Sequence, residues 1–204
     1  MSTETVVQKR RRGRPPVAND TRERILGAAI EHFSRRSYEE TGLREIAAAA
    51  GVDVAYVHRC FGSKKRLFAD AVSAAVKPKD LFDELPDKLP GTLAWDVLAT
   101  RGTRAKGLDI ILNSIASREA GPIVRDFYAN EVVKPLAEKL GAPVMHGAVI
   151  AALITGVATL RNVVGLASLG EPEGGDLERL LAHLIRETAR RANNALEGGH
   201  ADEK

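Results

Sequence analysis

An all-α protein is predicted: an N-terminal three-helix helix-turn-helix domain, joined by a linking helix to a larger helical body. Three observations carry this prediction. Apolar residues recur at helical spacing along most of the chain, and strand-like alternation appears nowhere. Residues 41–68, TGLREIAAAAGVDVAYVHRCFGSKKRLF, read as two short helices around a tight turn, with a third starting directly behind them. Charge is divided unevenly. Residues 1–75 hold 14 Lys and Arg against 9 Asp and Glu, whereas residues 76–204 hold 16 against 18, so any nucleic-acid footprint lies at the front.

Residues 1–19 are polar, then carry KRRRGRPP, and they read as a disordered basic arm. Arg12 and Arg14, on either side of Gly13 and followed by Pro15, look like the core of an AT-hook, whose arginines lie in a narrow A/T minor groove. Residues 1–24 contain no apolar run of the signal-peptide kind. Asp20 and Glu23 have capping-box spacing, so the first helix is predicted to begin near Asp20. Ile25, Leu26, Ala29, Ile30 and Phe33 form its inward stripe, with Tyr38 closing the small core.

Leu43, Ile46, Ala47 and Ala50 then fall at i, i+3, i+4 and i+7 of a second helix. Gly51 ends it, since glycine takes the left-handed conformation without strain. Val57 and Phe61 are the inward pair of a third helix, and small Ala47 lets the two helices cross closely. Ser63 is a good N-cap for a fourth helix reaching Val76, with Leu67, Phe68, Ala71 and Val72 inward. The next residues, Lys64, Lys65 and Arg66, oppose the helix dipole, each by a few tenths up to about 1 kcal/mol. That arrangement makes sense where an anion such as a DNA phosphate docks.

The run T-x-x-R-E-I-A-x-x-A-G-V from Thr41, the following short helix and F-x-S-K from Phe61 resemble the DNA-binding domain of TetR-family transcriptional regulators over roughly residues 20–75. This chain departs from the family pattern in having His58 where tyrosine is usual, Cys60 where an aromatic residue or histidine is usual, and Gly42 as the second helix's cap. The resemblance implies that residues 54–60 are a recognition helix entering the major groove. Arg44 is the candidate for guanine O6 and N7, or else for phosphate. Val54 and Ala55 can meet only thymine methyls, and Tyr56 stacks or bonds phosphate. His58 and Arg59 are assigned to backbone or base edges and Lys64 to phosphate, and Thr41 to phosphate or to capping the second helix.

Residues 77–91 carry Pro78, Pro86 and Pro90 and read as a linker with at most broken helix. Helices are predicted at 92–101 and at 104–118, the latter with Leu108, Ile111, Leu112 and Ile115 on one face. After Gly121-Pro122 a further helix begins with Ile123, Phe127 and Val132 and reaches Leu140 despite Pro135. Between residues 144 and 169 the only formal charge is Arg161. A membrane span is disfavoured, because the uncharged run 147–160 is short of the roughly 20 residues needed and Arg costs about 2.5–3.5 kcal/mol inside a bilayer. A buried helix is predicted instead. Residues 176–196 offer Leu177, Leu180, Leu181, Leu184 and Ile185 as one stripe, and these two helices doubled by a two-fold axis make a four-helix bundle. The family pairs its last two long helices in this way, so a homodimer follows. The family also holds a small-molecule effector among its body helices, for which Trp95, Leu108, Leu112, Ile115, Phe127, Met145 and Val149 are the apolar candidates.

The chain therefore divides into a basic arm (1–19), a DNA-binding domain (20–76), a helical regulatory and dimerisation domain (77–197) and a tail (198–204). Catalytic motifs are missing: there is no GxSxG, GxGxxG, P-loop or HExxH. No cofactor, metal site or catalytic residue is assigned. Cys60, the single cysteine, fits a reducing cytosol; it packs in the head, or else senses oxidants beside Arg59 and near Lys64. The partners expected are double-stranded DNA, a second copy of the chain and a hydrophobic effector, with no membrane. The alternative is an all-helical small-molecule-binding protein, which would show little salt-dependent affinity for any duplex.

Overall fold

The computed structural model describes residues 18–99, 103–170 and 174–198, and these contain helices and no strand. The head comprises α1 (Ala18–Arg35), α2 (Leu43–Ala49), α3 (Val54–Phe61) and α4 (Lys64–Val76). The body comprises α5 (Pro78–Phe82), α6 (Leu89–Leu98), α7 (Thr103–Ser114), α8 (Gly121–Phe127), α9 (Lys134–Leu140), α10 (Val144–Ala158) and α11 (Asp176–Gly198). Two π-helical segments interrupt it: π1 (Tyr128–Val133) between α8 and α9, and π2 (Thr159–Val163) after α10. The arm with Arg12 and Arg14, and the tail beyond residue 198, lie outside the described residues.

In the head, Phe33, Tyr38 and Phe68 form an aromatic knot, with Phe68 edge-on to both other rings at centroid distances of 5.0 and 5.2 Å. Ile25, Ile46, Val57 and Leu67 complete a core with almost no solvent contact. Asp20 lies within the first turn of α1 and is not its cap, because the helix already runs from Ala18. The start of α2 is closed by Glu45, whose carboxylate accepts the Gly42 N–H at 3.1 Å. Gly51, at φ +66°, ends α2 as predicted.

The head core continues into the body through Ile110, Ile111, Val124 and Phe127. Here α7 is turned from its predicted face. The inward residues are Gly107, Ile110, Ile111 and Ser114, whereas Leu108 and Leu112 are half-buried and Ile115 is exposed. Gly107 explains the rotation: a Cβ there would lie 2.9 Å from the Val76 side chain and 3.1 Å from its backbone nitrogen, so only glycine lets α7 cross α4 this closely. Polar ties reinforce the joint. The Lys106 ammonium pairs with Glu31, the Asn113 amide donates to the Ser34 carbonyl at 2.9 Å, and the Ser117 hydroxyl donates to Glu39.

Pro135 is accommodated as predicted, and π1 supplies the means. A proline inside a helix removes one N–H and crowds the carbonyl four residues back; here that carbonyl, of Glu131, belongs to the wider π turn. Along α10, Gly147 sits 2.7 Å (by its virtual Cβ) from the Val133 carbonyl, and Ile150, Ala151 and Ala158 are buried. The prediction of a buried helix holds for that side only. Val144, Met145 and Val149 are 52–68% exposed, with no described residue covering them. The helix Val144–Val163 is long and apolar enough to cross a membrane by length and composition alone. Arg161 near its end donates to the Leu169 carbonyl and so anchors the turn that follows. On α11, Leu181 and Ile185 point inward, whereas Leu180 and Leu184 of the predicted stripe are exposed.

Candidate nucleic-acid interface and effector cavity

The short helix α3 is positioned by its inward pair, Val57 and Phe61, and by Asp53, whose carboxylate accepts the Tyr56 N–H at 2.7 Å. Its other face is open to solvent. Ala55, His58 and Arg59 are exposed, while Val54 and Tyr56 are half-buried against the head core. The Arg59 guanidinium lies over the Tyr56 ring at 4.8 Å, so these two form one stacked unit. The His58 Nδ1 lies 3.2 Å from the Gly62 carbonyl, which ties the ring to the turn before α4. Arg44, on α2, is exposed to solvent.

Of the predicted phosphate contacts, Thr41 is sealed in the head and Lys64 lies partly folded back on it. Thr41 is fully buried and its hydroxyl donates to the Ser37 carbonyl at 3.0 Å, so it reaches neither solvent nor the start of α2. Lys64 is half-buried, with its ammonium 4.2 Å above the Tyr38 ring, and burial holds its pKa below the ordinary lysine value. The cationic start of α4 is also less bare than the sequence implies. Ser63 caps it by accepting the Arg66 N–H at 3.2 Å, and Lys65 pairs with Glu119 of the body at 3.6 Å. Burial first, and then Glu119, push the Tyr38 phenol up to about 12. Cys60 is half-buried and packs against the head core.

The body holds a partly open cavity of about 120 Å³ between the end of α4, the start of α5 and helices α6, α7, α8, π1 and α10. Of the seven apolar candidates, Leu108 and Phe127 line it. Trp95, Leu112, Ile115, Met145 and Val149 do not, and four of these five point outward with more than half their surface exposed. Sequence reasoning missed Val76, Pro78, Val97, Tyr128 and Thr155. Their only local signal was Pro135, which marks an irregular helix just after the Tyr128 segment. The Tyr128 and Thr155 hydroxyls are 3.0 Å apart across the cavity wall, and burial raises the Tyr128 pKa. From the same π turn, Glu131 accepts a hydrogen bond from Ser73 of α4 at 2.6 Å. Among the described residues no group of three or more His, Cys, Asp or Glu side chains could hold a metal ion.

A compact helical head offering a short capped helix on a cationic surface, fused to a helical body with its own cavity, defines a helix-turn-helix regulator. The comparisons make the family specific. Residues 25–71 match the model of bacterial regulatory proteins of the tetR family, and residues 87–188 match the tetracyclin repressor-like C-terminal domain. The chain belongs to the TetR family and is a DNA-binding transcriptional regulator, not an enzyme. No curated protein matches the sequence. Among solved structures, a TetR-family regulator from Streptomyces coelicolor (SCO0857) is 25% identical, with a TM-score of 0.57 over 87% of this chain and 99% of its own. NalD, the secondary repressor of the MexAB-OprM multidrug efflux pump in Pseudomonas aeruginosa, is 23% identical, with a TM-score of 0.60 over 85% of this chain and 97% of its own. The fatty acid degradation regulator FadR from Bacillus halodurans, 16% identical, shares the fold with a TM-score of 0.52 over 83% of this chain and 94% of its own.

Proposed function

We propose that this regulator is a cytoplasmic homodimeric repressor that binds a palindromic operator and leaves it when a small apolar molecule enters the body cavity. The observation that carries the reading is the exposed apolar face of α10 and α11 on the same chain as a complete DNA-binding head: Val144, Met145, Val149, Leu180 and Leu184 are 40–68% exposed. A second copy covering that face builds a four-helix bundle and sets two α3 helices into successive major grooves, about 34 Å apart. Arg44 reads a base edge, and the Tyr56–Arg59 stack and His58 meet the backbone beside it. Ala55 and Val54 supply only apolar contact. Lys64 and Lys65 take phosphate in exchange for Tyr38 and Glu119, and Arg12 and Arg14 of the arm follow the adjacent minor groove.

Release follows from where the cavity lies. Val76 and Pro78 place its wall at the end of α4, and the Ser73–Glu131 hydrogen bond ties the same helix to π1. A ligand that fits better when α4 is displaced lowers operator affinity by its own preference between the two arrangements. Selection of bound duplexes from a random pool tests the reading. A palindrome, bound with steep salt dependence by a species of twice the chain mass, is the expected result. Indifference to every duplex at low salt overturns it. With the selected duplex, Arg44→Ala should relax preference at one base pair per half-site by about 1–3 kcal/mol, while Lys64→Ala should weaken all sequences alike.

A further inference from the structure

Building on the effector reading above, we infer the ligand's chemical class: a compact, uncharged molecule about the size of one six-membered ring, bearing one hydroxyl or carbonyl that seats on the Tyr128–Thr155 hydroxyl pair. Size comes first. The cavity measures about 120 Å³. A void of about 150 Å³ accepts benzene, whereas drug-sized ligands occupy about 300–1,000 Å³.

Polarity narrows the class. Val76, Val97, Leu108, Ile111, Phe127 and Ile154 make most of the wall apolar. The polar side chains on it are Tyr128, Thr155 and Asp96. Asp96 is engaged in an interaction of its own. The two hydroxyls are 3.0 Å apart, and their mutual bond consumes one hydroxyl hydrogen. The second hydrogen is left to donate to a ligand oxygen, and the oxygens' lone pairs can accept from a ligand hydroxyl. The Thr155 backbone is held in place independently, since its carbonyl accepts from the Thr159 hydroxyl at 2.7 Å.

Charge is excluded by the same wall. Among the described residues no Lys, Arg or His lines the cavity, so a carboxylate would meet no described counter-ion there and face Asp96. An ammonium would find only a carboxylate that already has a partner. The position is also where the helices depart from regularity. Tyr128 and Val132 belong to π1, and Ala158 immediately precedes π2. Such π segments recur at functional sites because the wider turn aims side chains that an α-helix would not.

The test uses the full-length protein and four six-membered-ring probes: cyclohexanol, cyclohexanone, cyclohexylammonium and cyclohexanecarboxylate. Binding is measured by ligand-observed NMR and calorimetry, and release by adding each probe to the complex with the selected duplex. Cyclohexanol and cyclohexanone should bind, with the two charged probes about tenfold or more weaker. Tyr128→Phe and Thr155→Val, which preserve shape, should each weaken cyclohexanol binding about 3- to 10-fold, the worth of one hydrogen bond. The assignment is overturned if a charged probe binds tightest, if none of the four binds, or if both variants bind cyclohexanol as the parent does. Binding of the neutral probes without duplex release supports the ligand class and overturns the release step of the proposed function.

Discussion

The head and the α10–α11 region solve the same burial problem to different extents. In the head, Ile25, Phe33, Ile46, Leu67 and Phe68 are fully enclosed by their own chain, and none of its described large apolar side chains is among those strongly exposed. The α10–α11 region buries Ile150 and Ile185 just as completely, yet leaves Val149 52% and Leu180 54% exposed. Exposed apolar side chains scattered singly are ordinary, but a row of them on two packed helices marks a surface for a partner. The difference teaches that one chain encloses the core of the DNA-binding element, whereas its body leaves an apolar face open among the described residues, the face on which we propose a second copy packs.

Breaking the unfinished face should give the largest effect. Val149→Arg combined with Leu184→Arg places two charges where we propose the second copy packs. Sedimentation should then show the mass of one chain, and affinity for the palindrome should fall about 100-fold or more, because linkage of the two half-sites is lost. The head should still melt cooperatively. Next in size is damage to the finished core. Phe68→Ala removes the ring that meets both Phe33 and Tyr38 and should cost about 3–5 kcal/mol in urea unfolding.

Two glycines of α10 sharpen the contrast within one helix. A Cβ at Gly147 meets the Val133 carbonyl at 2.7 Å, so Gly147→Ala should destabilise by about 1–3 kcal/mol. A Cβ at Gly156 meets no described atom within 4 Å, and alanine there should gain about 0.5–1 kcal/mol of helix propensity. A loss at Gly156 as large as that at Gly147 would place the partner's backbone directly on it. The smallest effect is a titration. The folded Tyr38 pKa of about 12 lies above its ordinary value of 10, so the native state holds this proton more tightly. Its contribution is complete below pH 10 and is lost as pH rises through 12. Melting temperature should therefore decline over that window, less steeply in Tyr38→Phe.

Much of the head was legible because its signals are local. Gly51 ends α2 where a left-handed residue is required, and Ser63 caps α4, each through neighbours only a few residues away. The cavity was far less legible. Tyr128 and Thr155 meet across 27 residues, and Ser73 and Glu131 across 58, and no spacing rule connects such pairs. Periodicity also misjudged α7. It counted apolar side chains and so chose Leu108 and Leu112, whereas the residue whose missing Cβ lets α7 press on α4 has no side chain, Gly107.

By itself, then, the order of residues determined the helical class, the capped ends of the head's helices at Gly51 and Ser63, the helix-turn-helix head and its cationic bias, since each depends on short-range sterics, capping and the 3.6-residue repeat. Tertiary structure alone decided that Thr41 is sealed inside, that Lys64 leans on Tyr38, which face α7 turns inward, and which side chains enclose the cavity. Those outcomes depend on how closely two helices approach and how far each rotates about its axis. Both are set by the shapes of residues distant in the chain.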